Sequence, residues 1–273
     1  MPDPKTIDCF ESASGMRVFY VSPEQQLQLD TSSKGNQRKW LVDNMYVKEQ
    51  FFYQGKYWKD DQVEVIASTI AKQMINSSPV AQQELCEIHH ASGSITKGSC
   101  SHNFCEEDER FLSFNRLCLL LHEDILLYKD YKDRYQKAIE ILNRVCKCGE
   151  LYLNTMILLD YLVGNEDRHL NNFGVIATGT GFRVAPLFDF GLGLFEHDLR
   201  YNGEPFRECL KMMQSKPFSR DNQKIVDFIL TRGATALLPA TIDLSSVQIP
   251  SAKAGSYIRN RCSILGIELH GVE

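Results

Sequence analysis

The stretch Asp160–Phe195, DYLVGNEDRHLNNFGVIATGTGFRVAPLFDFGLGLF, decides how the rest of the chain is read. It sets Asp167, His169 and Asn172 on one short turn after an apolar helix, and a second acid, Asp189, opens an Asp-Phe-Gly after two strand-like runs. Those runs, Gly174–Ile176 and Phe182–Val184, flank Thr178-Gly-Thr-Gly181 and predict a hairpin that returns Asp189 to Asp167 and Asn172. A site for phosphoryl transfer needs these parts: one carboxylate to receive a hydroxyl hydrogen, and an amide plus another carboxylate to hold a metal. Asp167 suits the first role, Asn172 and Asp189 the second.

The run Asn165-Glu166-Asp167-Arg168-His169-Leu170-Asn171-Asn172-Phe173-Gly174, followed by Pro186-Leu187-Phe188-Asp189-Phe190-Gly191, resembles the catalytic signature of HipA-like kinases. These are bacterial relatives of protein kinases that share an Asp-Arg-His-x-x-Asn pattern with phosphatidylinositol kinases. The Asp-Phe-Gly alone is weak; the two motifs in this order, joined by a Gly-rich hairpin, are far more specific. The resemblance runs from a Ser/Gly loop near residue 31 through Phe195, is strongest over Gly164–Gly191 and is weak beyond Leu199.

It implies a two-lobed α+β fold of the protein-kinase type. Residues 1–98 would form a small antiparallel-sheet lobe with one helix, and 99–273 a mainly helical lobe. It also implies ATP and Mg as cofactors, with Asp167, His169 and Asn172 catalytic and Asn172 and Asp189 on the metal. The implied activity is transfer of the γ-phosphoryl group to a Ser or Thr hydroxyl of a protein, autophosphorylation included. The residues themselves leave a lipid or small-molecule acceptor open, and a pseudokinase or nucleotide-binding scaffold; kinship favours protein, and an intact acid–amide–acid set favours turnover. His169 either positions the transferred group or braces the loop. Arg168 reads as a neutraliser of acids, a substrate contact or a solvated side chain, Asn171 as at most a helper, and Asp160 as a structural hydrogen-bonding group. The chain is shorter than standard HipA toxins and shows no obvious counterpart of their additional amino-terminal subdomain, so a DNA-binding antitoxin is not expected as its partner.

Outward toward the amino terminus, Met16–Val21 reads as a strand and Leu27/Leu29 as an alternating one. Lys39–Val42 and Met45–Lys48 flank Asp43-Asn44 and predict a hairpin. Between them, Ser32, Ser33, Lys34 and Gly35 occupy the place of a phosphate-covering loop; small residues let backbone N–H groups turn to phosphate oxygens, with Lys34 or Lys39 adding charge. Lys48 leaves its strand opposite Val47, as a phosphate-contacting lysine would. Asp60 and Asp61 cap an amphipathic helix carrying Val63, Ile66, Ala67, Ile70 and Met74, and Glu64 in its first turn is the candidate partner of Lys48. Val80–Ile88 reads as a strand, Ala91–Gly98 as a polar turn and Ser99–Phe104 as the connector at which a base would be held by backbone groups.

From Glu107 the chain reads as helical. Phe111, Phe114, Leu117, Cys118 and Leu121 make one apolar stripe, and Tyr135, Ala138, Ile139, Leu142, Val145 and Cys146 another, separated by a solvated connection over Tyr128–Arg134. Leu151–Leu162, Asn222–Thr231 and Ala252–Leu265 are further helices.

With 273 residues, 43% of them hydrophobic, the chain is long enough for two lobes around a large core. A net charge of -5 without a Lys/Arg run argues against direct nucleic-acid or membrane-surface binding. The start, MPDPKTIDCFESAS, lacks the basic and apolar regions of a secretory signal, Leu117–Leu121 is far too short to span a bilayer, and nine irregularly spaced cysteines suit reduced thiols. A cytoplasmic protein is the expectation. Cys86, His89, His90, Cys100, His102 and Cys105 invite a zinc reading, but without paired Cys-x-x-Cys spacing buried thiols are the plainer one.

Overall fold

A computed structural model describes residues 15–27, 37–195, 199–201 and 203–272. The expected α+β architecture is present, a sheet and one long helix followed by a mainly helical part. Strands β1 (Arg17–Val21), β2 (Lys39–Val42) and β3 (Met45–Glu49) precede a short hairpin, β4 (Phe52–Tyr53) and β5 (Lys56–Tyr57); helix α1 (Asp60–Gln73) follows, then β6 (Glu84–His90) and β7 (Ile95–His102). The five-stranded sheet has the order β1-β6-β7-β3-β2, with only the β1–β6 pair parallel. Asp43 and Asn44 turn β2 into β3 with φ of 49° and 60°, the left-handed pair that a two-residue hairpin demands and that Asp and Asn tolerate.

Alternation along β3 does the positioning. Met45, Val47 and Glu49 are buried on one face, the first two in a cluster with Phe19, Val21, Trp40 and Ile88, so Tyr46 and Lys48 face the other way. Helix α1 buries Val63, Ile66, Ala67 and Ile70 against the helical part. At roughly 1.5–3 kcal/mol for each fully buried aliphatic side chain, this stripe fixes the helix firmly enough to aim a polar residue from its first turn.

Several boundaries differ from the reading above. Asp60 and Asp61 lie in the first turn of α1, whose N-cap is Lys59; Asp60 instead accepts from Phe51 N at 2.9 Å and from Gln37 Nε2 at 2.5 Å, tying the strands to the helix. The strand read from Val80 begins at Glu84, because Val80 is spent on an isolated bridge to Leu187. β7 starts at Ile95 and continues to His102, paired with β3 on one side and with β6 on the other, so the position between residues 98 and 99 falls inside a strand and the connector begins at Asn103.

The second part opens with β8 (Arg110–Ser113), where a helix was read. This segment instead pairs with β9 (Gly174–Thr178), which forms the expected hairpin with β10 (Gly181–Val184). The reason lies at Gly174: a Cβ there would sit 2.2 Å from Leu112 O, so only glycine admits this approach. Helix α2 (Phe114–Leu120) is correspondingly short. α3 (Tyr131–Asn143) begins inside the stretch read as a connection, because the Asp130 carboxylate accepts from Lys132 N and starts it.

α4 (Gly149–Val163) is the hub. Every residue from Tyr152 to Val163 is buried, and Gly164, in the left-handed region at φ 60°, ends the helix and releases the chain into the turn at 165–172. Around it pack α5 (Phe206–Met212), α6 (Asn222–Thr231), α7 (Ala252–Leu265) and a small parallel pair, β11 (Thr241–Asp243) with β12 (Glu268–His270). α6 and α7 have the bounds read from the sequence. No helix among the described residues is long and apolar enough to cross a membrane.

Candidate active site

A cleft of about 560 Å³ opens between the sheet and the helical part, lined among others by Lys39, Lys48, Glu64, Asn172, Phe188 and Asp189. Lys48 projects from β3 into it and is held by two carboxylates, Glu64 Oε1 of α1 at 2.6 Å and Asp189 Oδ1 at 2.7 Å. The second oxygen of Glu64 accepts from Phe190 N at 3.0 Å, so one buried acid orients both the lysine and the Asp-Phe-Gly backbone. A Cβ on Gly191 would lie 3.3 Å from both Lys48 Nζ and Glu64 Oε1, which leaves room for little more than glycine. Asp189 itself sits at φ 65°, an unusual conformation for a non-glycine residue of the kind that clusters at functional sites.

The charge states follow from this packing. Burial alone would favour neutral Lys48, but Asp189 and Glu64 outweigh it and hold the ammonium well above the usual lysine range. Burial likewise opposes ionisation of Asp189, yet Lys48, Lys39 and Arg168 keep its carboxyl well below the usual carboxylate range. The floor of the site therefore carries a permanent carboxylate.

The turn after α4 brings the remaining parts together. Asn172 N donates to His169 O at 2.9 Å, and Asn172 Nδ2 to Asp167 O at 3.4 Å, which closes the turn and spends the amide nitrogen. Asp167 is partly buried within Coulombic reach of Asp189; burial pushes its carboxyl up, while His169, Lys216 and Arg168 pull it down and Asp189 adds to the rise. His169 Nδ1 accepts from Asn171 N at 3.3 Å, and its buried Nε2 has no partner among the described residues. The other predicted residues fall into place unevenly: Lys48, Glu64, Asn172 and Asp189 line the cleft, Asp167 and His169 lie on the adjoining turn and are not among its lining residues, and Ser32, Ser33, Lys34 and Gly35 lie outside the described residues.

Arg168 is not solvated. Fully buried, it takes Asp160 with Nε and Nη2 at 3.0 and 2.9 Å and donates through Nη1 to Asn172 O and Phe188 O at 2.8 and 2.5 Å, with its guanidinium 4.6 Å from the Phe190 ring centroid. Asp160 makes the structural contacts read for it, to Arg168 and to Asn165 Nδ2 at 2.7 Å. The available signal was Asp160 itself, the lone charged residue in the run Leu151–Val163.

Two further features were not read from the sequence. Phe104 stacks on Phe188 at 5.5 Å, with Phe111 edge-on to both, giving the cleft an aromatic wall. Glu166 clasps Gln214 N at 2.7 Å with one oxygen and Arg200 and Tyr201 with the other, so the segments after the Asp-Phe-Gly close against the turn.

The chain matches the HipA-like C-terminal domain over residues 31–229. It belongs to the HipA-like C-terminal domain family. Among solved structures, the Helicobacter pylori proinflammatory kinase CtkA is similar with a TM-score of 0.51 and 17% identity, over 87% of this chain and 83% of that one. HipA of Shewanella oneidensis, solved with HipB and operator DNA, gives a TM-score of 0.45 and 12% identity over 86% of this chain and 58% of its own. A search of curated proteins found no match. The HipA-like domain thus has a kinase-like fold.

Two oxygen donors at its cleft fit a hard cation. With the Asn172 amide nitrogen spent on Asp167 O, its oxygen is the free acceptor, and with ionised Asp189 it offers the oxygen donors that Mg takes from proteins, few in number because that ion keeps waters and phosphates. Among the described residues no group of three or more His, Cys, Asp or Glu gathers around a metal position; of the Cys/His cluster, Cys86 and Cys100 are buried in the sheet.

Proposed function

We propose that this HipA-like domain is a Mg- and ATP-dependent kinase that transfers the γ-phosphoryl group to a Ser or Thr hydroxyl of a protein, its own chain included. One observation carries the reading: Lys48 bridged between Glu64 and Asp189 at 2.6 and 2.7 Å, beside a turn that presents Asp167 and Asn172. A binding module needs no second acid at the acceptor side.

Mg-ATP, when bound, supplies the transferable phosphoryl group and the cation that neutralises it. Lys48 would hold phosphate oxygens, with Glu64 keeping that ammonium aimed. Asn172 and Asp189 are the residues that would hold the metal. Asp167 orients the acceptor hydroxyl and takes its proton, a task suited to a carboxyl that burial raises above its ordinary range. His169, whose Nδ1 accepts from Asn171 N, braces the turn beside Asp167 or positions the transferred group. Ser32, Ser33, Lys34 and Gly35 would cover the phosphates. The fold-level likeness to CtkA, a kinase by its description, points the same way.

The test is incorporation of radiolabel from ATP into the chain and into Ser/Thr peptides. Wild type should label, and Asp167→Ala and Asp189→Ala should fall by about 10²–10⁴-fold. Equal labelling by all three proteins would remove the reading. Calorimetric MgATP binding without turnover would make the domain a pseudokinase, and labelling of lipid vesicles but not of proteins would move the acceptor class.

A further inference from the structure

We infer that the loop at 214–220 reads the acceptor, and that Lys216 on it selects a protein with an Asp or Glu close to the phosphorylated Ser or Thr. The inference deepens the kinase reading above and rests on it. Charge gives the first indication. In a chain of net charge -5, residues 199–224 carry six Lys and Arg against three Asp and Glu. This segment follows the Asp-Phe-Gly and closes on the catalytic turn. Its own acids do not balance it: Glu208 is in contact with Lys211, and the Asp221 carboxylate accepts from Gln223 N and Lys224 N at the start of α6. Arg200 pairs with Glu166, while exposed Lys216 and Arg220 have no carboxylate partner among the described residues.

An exposed lysine on a loose loop would be an ordinary solvated charge. This loop is fixed. Ser215 and Ser219 exchange both backbone hydrogen bonds, at 2.9 and 2.8 Å, Phe218 is buried against Tyr135, and Arg134 Nη1 donates to Pro217 O and Phe218 O at 3.1 and 3.3 Å. Two residues before Lys216, Gln214 N donates at 2.7 Å to the carboxylate of Glu166, the chain neighbour of Asp167. Lys216 therefore stands within Coulombic reach of Asp167, whose carboxyl it draws down. It is not among the residues that line the cleft, so its charge is left for the acceptor rather than for the phosphates. In an extended peptide, a carboxylate up to about three residues from the hydroxyl falls within the roughly 10 Å over which exposed charges are felt. A Lys or Arg in the same place would be repelled.

Three peptides that differ only in the residues flanking one Ser, which are Asp, Asn or Lys, test this by kcat/KM at a pH where a carboxylate base is ionised. Wild type should prefer Asp over Asn by about two- to fivefold, the reach of one exposed ion pair, and Asn over Lys by a similar factor, through KM rather than kcat. Lys216→Glu should reverse the order, Lys216→Met should level it and Lys216→Arg should keep it. Added salt should narrow the preference. On the Asn peptide Lys216→Met should stay within about twofold of wild type, with an unchanged melting temperature, which a lysine that only held the loop would not allow. Equal use of the three peptides by wild type, or an Asp preference that survives Lys216→Glu, overturns this inference alone. Wild type that phosphorylates its own chain or lipid but no peptide also overturns it, since the loop then reads no outside protein. Wild type that transfers nothing from ATP overturns the kinase reading and the inference with it.

Discussion

Arg168 and Lys48 are both cations drawn into the interior, and each ties the Asp-Phe-Gly to another element. Arg168 spends donors from all three of its nitrogens on Asp160 and two carbonyls, and its side chain is 1% exposed. Lys48 meets two carboxylates, is 15% exposed and opens on a cleft. The choice of residue matches: a planar fork fills a fixed set of acceptors, whereas an ammonium on a flexible stem can exchange one anion for another. The first cluster is complete without a ligand. The second faces the open cleft, with Lys48 shared between Glu64 and Asp189.

The sharpest way to break that contrast is to remove the arginine. Arg168→Met strands the Asp160 carboxylate, which is 4% exposed, and unfastens the carbonyls of Asn172 and Phe188. Losing one partner of a buried pair typically costs about 3–5 kcal/mol, so chemical denaturation should show a loss of that order. Adding Asp160→Leu should restore part of it, because the stranded charge goes too. A loss below about 1 kcal/mol would mean that Arg168 is not the brace described.

Glu64→Gln makes the opposite trade. The amide keeps the volume and one acceptor for Phe190 N but drops the charge that shares Lys48 with Asp189. Phosphoryl transfer should fall about ten- to a hundredfold, for the loss of one charge-assisted contact, while stability changes by about 1 kcal/mol or less. Both are measured on one preparation, and an equal loss in each would erase the distinction between a finished brace and a poised pair.

Local chemistry made much of this legible. Asp43-Asn44 between alternating runs specified the hairpin that aims Lys48, and Glu64 could be matched to it because helix periodicity placed α1 directly after the strands. Long-range pairing was not legible. β8 reads as helix until Gly174, over sixty residues later, is seen to admit its backbone; Arg168 could be told from a solvated arginine only by Asp160, earlier in the same helix and turn. The aromatic wall at Phe104 and Phe188 and the clasp at Glu166 depend on the same kind of closure between residues far apart in sequence.

The acceptor side gives the smallest and most diagnostic effect. Gln214 N donates to Glu166 Oε1 at 2.7 Å, and Arg134 Nη1 to Pro217 O at 3.1 Å, so the loop carrying exposed Lys216 is pinned beside Asp167. Burial raises the Asp167 carboxyl, and Lys216 is among the charges that pull it back. A raised folded value means that ionising Asp167 costs stability: that contribution is whole below the unfolded carboxylate value and is lost as pH rises through the folded one. Activity runs the other way, rising with pH as the base ionises. Lys216→Met should therefore move the acid limb of kcat/KM to higher pH by about 0.3 unit, an effect of one solvent-exposed charge. Raising ionic strength should shrink the gap between variant and wild type, because salt screens Lys216 but not the burial of Asp167. An acid limb that stays put, or moves down, would mean that the proton acceptor is a group Lys216 does not face, and Asp167 would lose that role.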